Sequence, residues 1–429
     1  MLLDKLAKSD TLIPVGPAKS KTKDMNRLIK YIANCSSRFD PEADTPIVFD
    51  CLPAVSFVGG NPMAFRRNNP NVQSGAGFWN CAEFVETLCD YHSAGFEVTA
   101  LLKRFIKGMA VSRAYINGDW SEETGYADDE FNDDLMWFTM AMCRAYGILG
   151  EDFRPYSFQG KDLNCLETAQ NVFNMVLFRS YDSRGGGGMT WKQPLEKNEK
   201  GVPEAVDHKN CCVNFPAIIT ACMLHKILPD YRFEGNPELG YKGVAVDLWN
   251  WCVANLIYDR SIYDKVVDFD PVVNSYTKVD STFWSYNYGV AIGSLYYLNE
   301  IKDEGDTNDY LKLARELADT FLDYYKDKIP EDEFDGNDHP QFKAIAIRLL
   351  ALLKDPKIDN TIRKWAVAAR QNVNSLGQSW ILWGQKTPEP IKSVFGHPQY
   401  NFGCEMVLCM SSLTLFAVEH IIDERTAIK

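Results

Sequence analysis

Apolar residues recur at spacings of three and four along almost the whole chain, and the strict alternation of a half-buried strand is scarce. This pattern predicts helices over residues 25–34, 78–92, 98–115, 133–146, 165–179, 211–227, 244–257, 283–301, 310–326, 342–353, 361–373 and 402–419. The chain therefore reads as all-α, about a dozen helices joined by Gly-, Pro- and Asn-containing loops. Its 429 residues suffice to bury a large core.

The way these helices open narrows the fold further. From Phe78 onward, every second helix follows a polar, aromatic or Gly-rich segment: residues 75–79, 131–134, 209–214, 284–287, 338–343 and 398–401. The helices between them open more plainly. Six helical hairpins in a ring would put the decorated starts on one face, around one pocket, with unpaired helix N–H groups beside them. This is an (α/α)6 barrel. A bundle or solenoid with ordinary caps is the alternative, but Trp and Asn at so many alternate starts exceed what capping selects. The barrel is assigned to residues 76–429. Residues 1–75 are an N-terminal extension, packed on or preceding it, with no separate function assigned.

Charge and cysteine usage exclude several function classes. A net charge of −13 disfavours nucleic acid and anionic membranes as partners, both being polyanions. No segment has the apolar length of a transmembrane helix. The first 24 residues are polar and Lys-rich, without a signal-peptide pattern, so a cytoplasmic location is expected, or a secreted one with the leader removed. Of twelve Cys, Cys89, Cys143, Cys222, Cys252 and Cys409 fall inside apolar runs, which suits reduced core residues. There is no C-x-x-C pair and no H-E-x-x-H, so no metal and no cofactor are expected.

The chemistry centres on Asn132-Asp133-Asp134, two adjacent carboxylates at the start of a long apolar helix. Asn132 is a suitable N-cap. Acidic residues in a first turn also complement the helix dipole, so the pair can be a cap alone. A glycosidase needs such a pair: one carboxylate attacks or stabilises the anomeric carbon and the other protonates the leaving oxygen. Trp137, in the first turns of the same helix, fits a sugar site, and Trp79 opens another of the decorated helices. The loop Arg184-Gly185-Gly186-Gly187-Gly188-Met189-Thr190-Trp191 is not a phosphate loop, because no G-K-[S/T] follows it. It is either a flexible turn or a close approach to a ligand, with Trp191 stacking on a sugar. Asn210 and Asn214 share a helical face at i, i+4, so both can meet sugar hydroxyls, or one caps the helix and the other pairs internally. In Trp284-Ser285-Tyr286-Asn287-Tyr288-Gly289, Trp284 suits the core, Tyr286 and Asn287 suit the pocket, and Gly289 suits close helix packing.

One competing motif belongs to different chemistry. The run from Asp128-Asp129 to Asn132-Asp133 resembles the Asp-rich box of class I terpene synthases, magnesium-dependent all-α enzymes acting on diphosphates. The second box of that chemistry would fall at Asn308-Asp309, but Lys312 stands where a hydroxyl ligand belongs. A cation at a metal-ligand position disfavours it, leaving it a minor alternative.

Six segments, in one order from about Phe78 to Glu419, together resemble glycoside hydrolase family 76, the endo-α-1,6-mannanases and their fungal transglycosidase relatives. They are Phe78-Trp79 with Ala82-Glu83; Asn132-Asp133-Asp134 with Trp137-Phe138; Gly186 to Gly188 with Trp191; Lys209-Asn210 with Asn214; Tyr286-Asn287 with Gly289; and Phe342-Lys343 with Arg348. The resemblance implies the (α/α)6 fold and a retaining mechanism, with Asp133 as nucleophile and Asp134 as acid/base. It also implies substrate contacts from Trp79, Trp137, Trp191, Asn210, Asn214, Tyr286, Asn287 and Lys343. Phe138 departs from the second Trp that often follows there, and Phe215-Pro216 replaces the usual Gly-Pro or Ala-Pro. The expected activity is retaining hydrolysis of α-1,6-mannosidic bonds in α-mannan or manno-oligosaccharides. A transglycosidase using the same intermediate, or a non-catalytic glycan-binding protein, is the alternative. Side chains adjacent on a helix diverge by roughly 100°. At a protruding first turn both carboxylates can still address one glycosidic bond at the ~5.5 Å separation of retaining enzymes.

Overall fold

The computed structural model describes residues 19–36, 39–49, 57–58, 61–62, 78–111, 120–127, 129, 131–193, 208–234, 236–326, 328–330, 341–389 and 405–427. Twelve α-helices lie within them: α1 (Lys19–Cys35), α2 (Phe78–Ser93), α3 (Thr99–Val111), α4 (Asn132–Leu149), α5 (Cys165–Ser180), α6 (Cys211–Ile227), α7 (Tyr241–Asn255), α8 (Ser285–Ile301), α9 (Tyr310–Tyr324), α10 (Phe342–Leu350), α11 (Pro356–Gln371) and α12 (Glu405–Ala427).

The helices form two concentric rings. In the inner ring α2 packs on α4, α4 on α6, α6 on α8, α8 on α10, α10 on α12, and α12 back on α2. Each outer helix leans on an inner one: α3 on α2, α5 on α4, α7 on α6, α9 on α8, and both α1 and α11 on α12. This is the (α/α)6 barrel. The sequence accounts for the division. Inner helices are enclosed on all sides; every residue from Phe78 to Tyr91 and from Cys211 to Leu224 is buried. Outer helices such as α1, α9 and α11 carry one apolar stripe and one charged face, as a helix with a solvent side must. The sixth outer helix, α1, comes from the segment set apart in the sequence as an N-terminal extension.

Close approach between inner helices depends on small residues. A Cβ on Gly289 of α8 would sit 2.6 Å from the Cα of Ala346 on α10, so only glycine fits there. Lower in the ring, α2 presents Glu83, Glu86 and Asp90 to two arginines. Arg348 of α10, which is not a ring neighbour of α2, donates to Glu83 Oε2 at 2.7 Å and Asp90 Oδ2 at 2.6 Å. Arg144 of α4 donates to Asp90 Oδ1 at 2.7 Å and to Glu86. All three carboxylates are buried. Burial pushes the Glu83 carboxyl up to about 7 against the pull of Arg348, with repulsion from Glu86 and Asp90 adding to the rise.

Two features of the chain departed from expectation. Helix α11 starts at Pro356 rather than near Thr361, because Asp355 accepts the Lys357 N–H at 2.8 Å and proline suits the first helical position. A three-stranded antiparallel sheet also went unforeseen: β1 (His208–Asn210), β2 (Lys265–Asp270) and β3 (Ser275–Asp280), in the order β3-β2-β1, with Lys265 opposite Asn210 and Asp280. The ten described cysteines are all buried, and no two of them form a disulfide. Among the described residues no helix is long and apolar enough to cross a membrane.

Candidate active site

Helix α4 opens without a side-chain cap. Phe131 is its extended N-cap residue, and Asn132 is already helical. Asn132 was expected to cap; it instead staples the helix start to its surroundings. Its N–H donates to the Trp191 carbonyl at 2.9 Å, its Nδ2 to the Thr190 carbonyl at 2.9 Å, and its Oδ1 accepts Arg179 Nε at 2.7 Å. The first turn thus holds Asp133 and Asp134 where unpaired backbone N–H groups favour negative charge. Trp191 Nε1 donates to Asp133 Oδ2 at 3.0 Å. The Cys212 thiol also lies in hydrogen-bond contact with Asp133. Asp134 meets the buried carboxyl of Asp129. Both Asp133 and Asp134 are half-buried.

Trp191 is aimed by the Gly-rich loop, which is built rather than slack. Gly185 to Gly188 all have positive φ, from 63° to 121°. A Cβ on Gly188 would meet the Trp251 ring at 2.6 Å. The buried Lys209 ammonium donates to the carbonyls of Asp182 and Arg184 at 2.7 Å each and of Gly187 at 2.5 Å. Burial lowers that amine to about 8, with Asp182 opposing the fall. Asn214 grips the next residue, accepting the Met189 N–H at 2.8 Å and donating to its carbonyl at 3.0 Å. The Trp191 ring then rests between Phe131 and His208, with centroids 5.1 and 5.2 Å away.

Near Cys212 stands a carboxylate that the sequence reading missed. Asp264, just before β2, is buried and accepts the Tyr286 hydroxyl at 3.0 Å and Asn287 Nδ2 at 3.2 Å. Burial raises its carboxyl, opposed by those two donors. Its charge reaches Cys212, which places it in the same electrostatic neighbourhood as Asp133. The Tyr286 ring bridges Trp137, 6.3 Å away, and Phe342, 4.3 Å away. Asp133, Asp134, Trp137, Trp191, Tyr286 and Asn287 thus gather at one end of the inner ring, and Trp79, buried, opens α2.

Several buried polar atoms at inner-helix starts have no partner among the described residues: Asn80 Nδ2 on α2, Asn210 Oδ1 before α6, Asn287 Oδ1 on α8 and the Gln341 amide before α10. Unsatisfied buried polar groups are costly, so these atoms at four inner-helix starts are open to a further polar partner.

Beyond Tyr286 and Asn287, which donate to Asp264, two more expected sugar contacts have other partners. The Asn214 amide is bonded to Met189 and to the Asn210 carbonyl. Lys343 donates to the carbonyls of Pro330, at 2.7 Å, and Ile381, and lies 4.2 Å from the Trp383 ring centroid. A buried amide or ammonium needs partners, and loop backbone supplies them. The diphosphate reading also fails on topology. Asp129 stands at the start of inner helix α4, whereas Asp309 accepts the Lys312 N–H as cap of outer helix α9. Helix α9 follows the 17-residue α8 in a hairpin, so it starts about 25 Å from the decorated face. Asp128, and the openings at 75–77, 338–340 and 398–401, lie outside the described residues.

The model of glycosyl hydrolase family 76 matches residues 55–385. The chain belongs to that family. Among curated family 76 relatives, the mannan endo-1,6-alpha-mannosidase DFG5 of Candida albicans is 25% identical over 299 residues, 67% of this chain. The match spans 61% of that relative's own length. Among solved structures, an inactive variant of the alpha-1,6-mannanase GH76A of Salegentibacter sp. HEL1_6, with two consecutive aspartates changed to asparagine and alpha-1,6-mannotriose bound, superimposes with a TM-score of 0.64. Identity is 16%, over 94% of this chain and 100% of that one. Dfg5 from Chaetomium thermophilum, in complex with glucosamine, gives a TM-score of 0.61 at 16% identity, over 94% and 91% of the two chains. Family 76 structures of this kind share the double ring of helices described above.

Proposed function

We propose that this chain is a retaining glycoside hydrolase that cleaves α-1,6-mannosidic bonds in α-mannan through a covalent glycosyl-enzyme. The observation that carries the reading is Asp133, fixed by Trp191 Nε1 at the first turn of α4, with Asp134 beside it. Family membership and the names of the relatives supply the substrate class.

Asp133 is assigned as nucleophile. The helix N-terminus and the indole N–H both favour its carboxylate and fix one oxygen, which leaves the group oriented for attack on the anomeric carbon. Asp134 gives its proton to the departing glycosidic oxygen as the bond from that oxygen to the sugar breaks. The resulting Asp134 carboxylate then takes a proton from water, the hydroxyl attacks the anomeric carbon, and Asp133 is released. Two inversions give net retention. Trp79, Trp137 and Trp191 offer faces for stacking on mannose, and the Asn80, Asn210, Asn287 and Gln341 amides offer both donors and acceptors for its hydroxyls. Asn214 and Lys209 serve by holding the loop that aims Trp191.

The test is hydrolysis of linear α-1,6-mannan with the product anomer followed by NMR. The α-anomer should appear first. Asp133→Asn and Asp134→Asn should each lower the rate at least about a hundredfold while the circular dichroism melt is retained. An initial β-product, or near-normal turnover in either folded variant, overturns the assignment.

A further inference from the structure

A third carboxyl stands against the pair and has no part in the steps above. Asp129 precedes α4 by three residues and is 1% exposed. Its Oδ1 accepts the Phe131 N–H at 2.8 Å, and its carboxyl is in hydrogen-bond contact with that of Asp134. Arg179, from the last turn of α5, fixes the turn by donating to the Asp129 carbonyl at 2.9 Å and to Asn132 Oδ1 at 2.7 Å. Among the described residues, the charged groups facing Asp129 are Asp133 and Asp134 on α4 and Arg179 on α5, while the Lys192 ammonium lies 6.0 Å from the neighbouring Phe131 ring.

Two carboxyls in contact do not both ionise at ordinary pH; one retains a proton. Asp129 is the more deeply buried of the two, and Asp134 is half-open to the pocket. Burial drives the Asp129 carboxyl well above its usual range, and the Asp133 charge adds to the rise, which outweighs the opposing pull of the Phe131 N–H, Arg179 and the hydrogen bond with Asp134.

We propose that Asp129 is a positioning residue for Asp134: its buried carboxyl, pinned by the Phe131 N–H, keeps a proton and holds it in a hydrogen bond to Asp134. This rests on the assignment of Asp134 as acid/base. When Asp134 gives its proton to the leaving oxygen, the Asp129 O–H donates to the new carboxylate and stabilises it. When Asp134 recovers a proton from water, the same bond keeps it aimed at the site. Asp129 itself exchanges no proton with the substrate. A buried carboxyl held neutral can serve as a donor in this way, whereas an ionised one beside Asp134 would repel it.

The experiment compares wild type, Asp129→Asn, Asp129→Ala and Asp134→Asn in pH–rate profiles. The substrates are α-1,6-mannan and an aryl α-1,6-mannobioside with an acidic phenol leaving group. Asp129→Asn retains a neutral N–H donor, so its basic limb should stay in place and its kcat should remain within a few-fold. Asp129→Ala loses the donor. Its kcat on mannan should fall about tenfold to a hundredfold with little change in KM, and its basic limb should move to higher pH. The deficit should shrink on the aryl substrate, whose departure needs little protonation. A purely structural role moves neither the limb nor the dependence on leaving group. The inference is overturned if Asp129→Ala leaves both unchanged, or if Asp129→Asn shifts the basic limb downward, which would mean that Asp129 had been ionised. A carboxyl 13C titration of wild type decides the same point if a variant fails to fold, since an Asp129 titrating near pH 4 also overturns it. Near-normal mannan hydrolysis by Asp134→Asn would instead remove the acid/base assignment beneath it.

Discussion

Trp191 separates two roles that one side chain can hold. Its ring contacts Phe131 and His208, and its indole N–H holds Asp133. Trp191→Phe keeps an aromatic ring and removes only the donor. A hydrogen bond to a charged acceptor contributes about 1.5–3 kcal/mol, so kcat should fall roughly tenfold to a hundredfold. The acidic limb of the pH profile should move up, because the donor favours the Asp133 carboxylate. Thermal melts of the variant should stay close to wild type; a large drop in Tm with unchanged kcat would make the residue a packing element only. At this scale the sequence displayed the carboxylate pair plainly, since adjacent acids opening an apolar helix are local features. It displayed Asn214 and Lys343 equally plainly, yet not what they bind. A polar group in an apolar run announces that it has a partner, while the choice between a backbone carbonyl and a ligand is made by tertiary contacts. Asp264 was illegible for the same reason, being brought to Tyr286 and Asn287 only by the placement of β2.

Among elements, α2 carries the heaviest electrostatic load. Glu83, Glu86 and Asp90 share Arg348 and Arg144, so three acids face two fixed cations. Burial raises Glu83 to about 7, above its unfolded value of 4.5. The folded state therefore favours the protonated acid. The associated stability is fully present below pH 4.5 and lost as pH rises through about 7, an effect of up to about 3 kcal/mol. Glu83→Gln keeps an acceptor for Arg348 and has no proton to lose. Its denaturant midpoint should match wild type near pH 5 and exceed it at pH 8; equal midpoints at both pH values would refute the shift. Element positions were largely readable because 3.6-residue periodicity survives even in enclosed helices, as the agreement over Cys211–Ile227 illustrates. Boundaries set by caps were less so: Asp355 and Pro356 signal a start that apolar spacing alone put five residues later.

For the whole molecule, closure of the ring between α2 and α12 brings the ends of the barrel together, and α1 seals the seam. Asp24 of α1, fully buried, receives Arg370 at 2.6 Å and His420 at 2.9 Å, along with Arg27. Although burial opposes it, these partners hold its carboxyl below the usual range, so its contribution is present above pH 4 and fades as pH falls. Asp24→Ala leaves Arg370 and His420 without that anion and should cost on the order of 3 kcal/mol in chemical denaturation. A change under 1 kcal/mol would show that α1 adds little to the barrel. The double ring was legible from the alternation of helix openings, but the seam was not, because nothing local to residues 19–35 indicates which helix they cover. The same enclosure has a further consequence for the buried thiols. Cysteines sit on α1, α2, α4, α5, α6, α7 and α12, and burial raises the thiols of Cys89, Cys143, Cys165 and Cys222, so they resist alkylation while the rings stay shut. The hairpins α2–α3, α4–α5 and α6–α7 and the α12–α1 pair therefore each carry a tamper seal, and the order in which those seals accept a maleimide is the order in which these parts of the rings come apart.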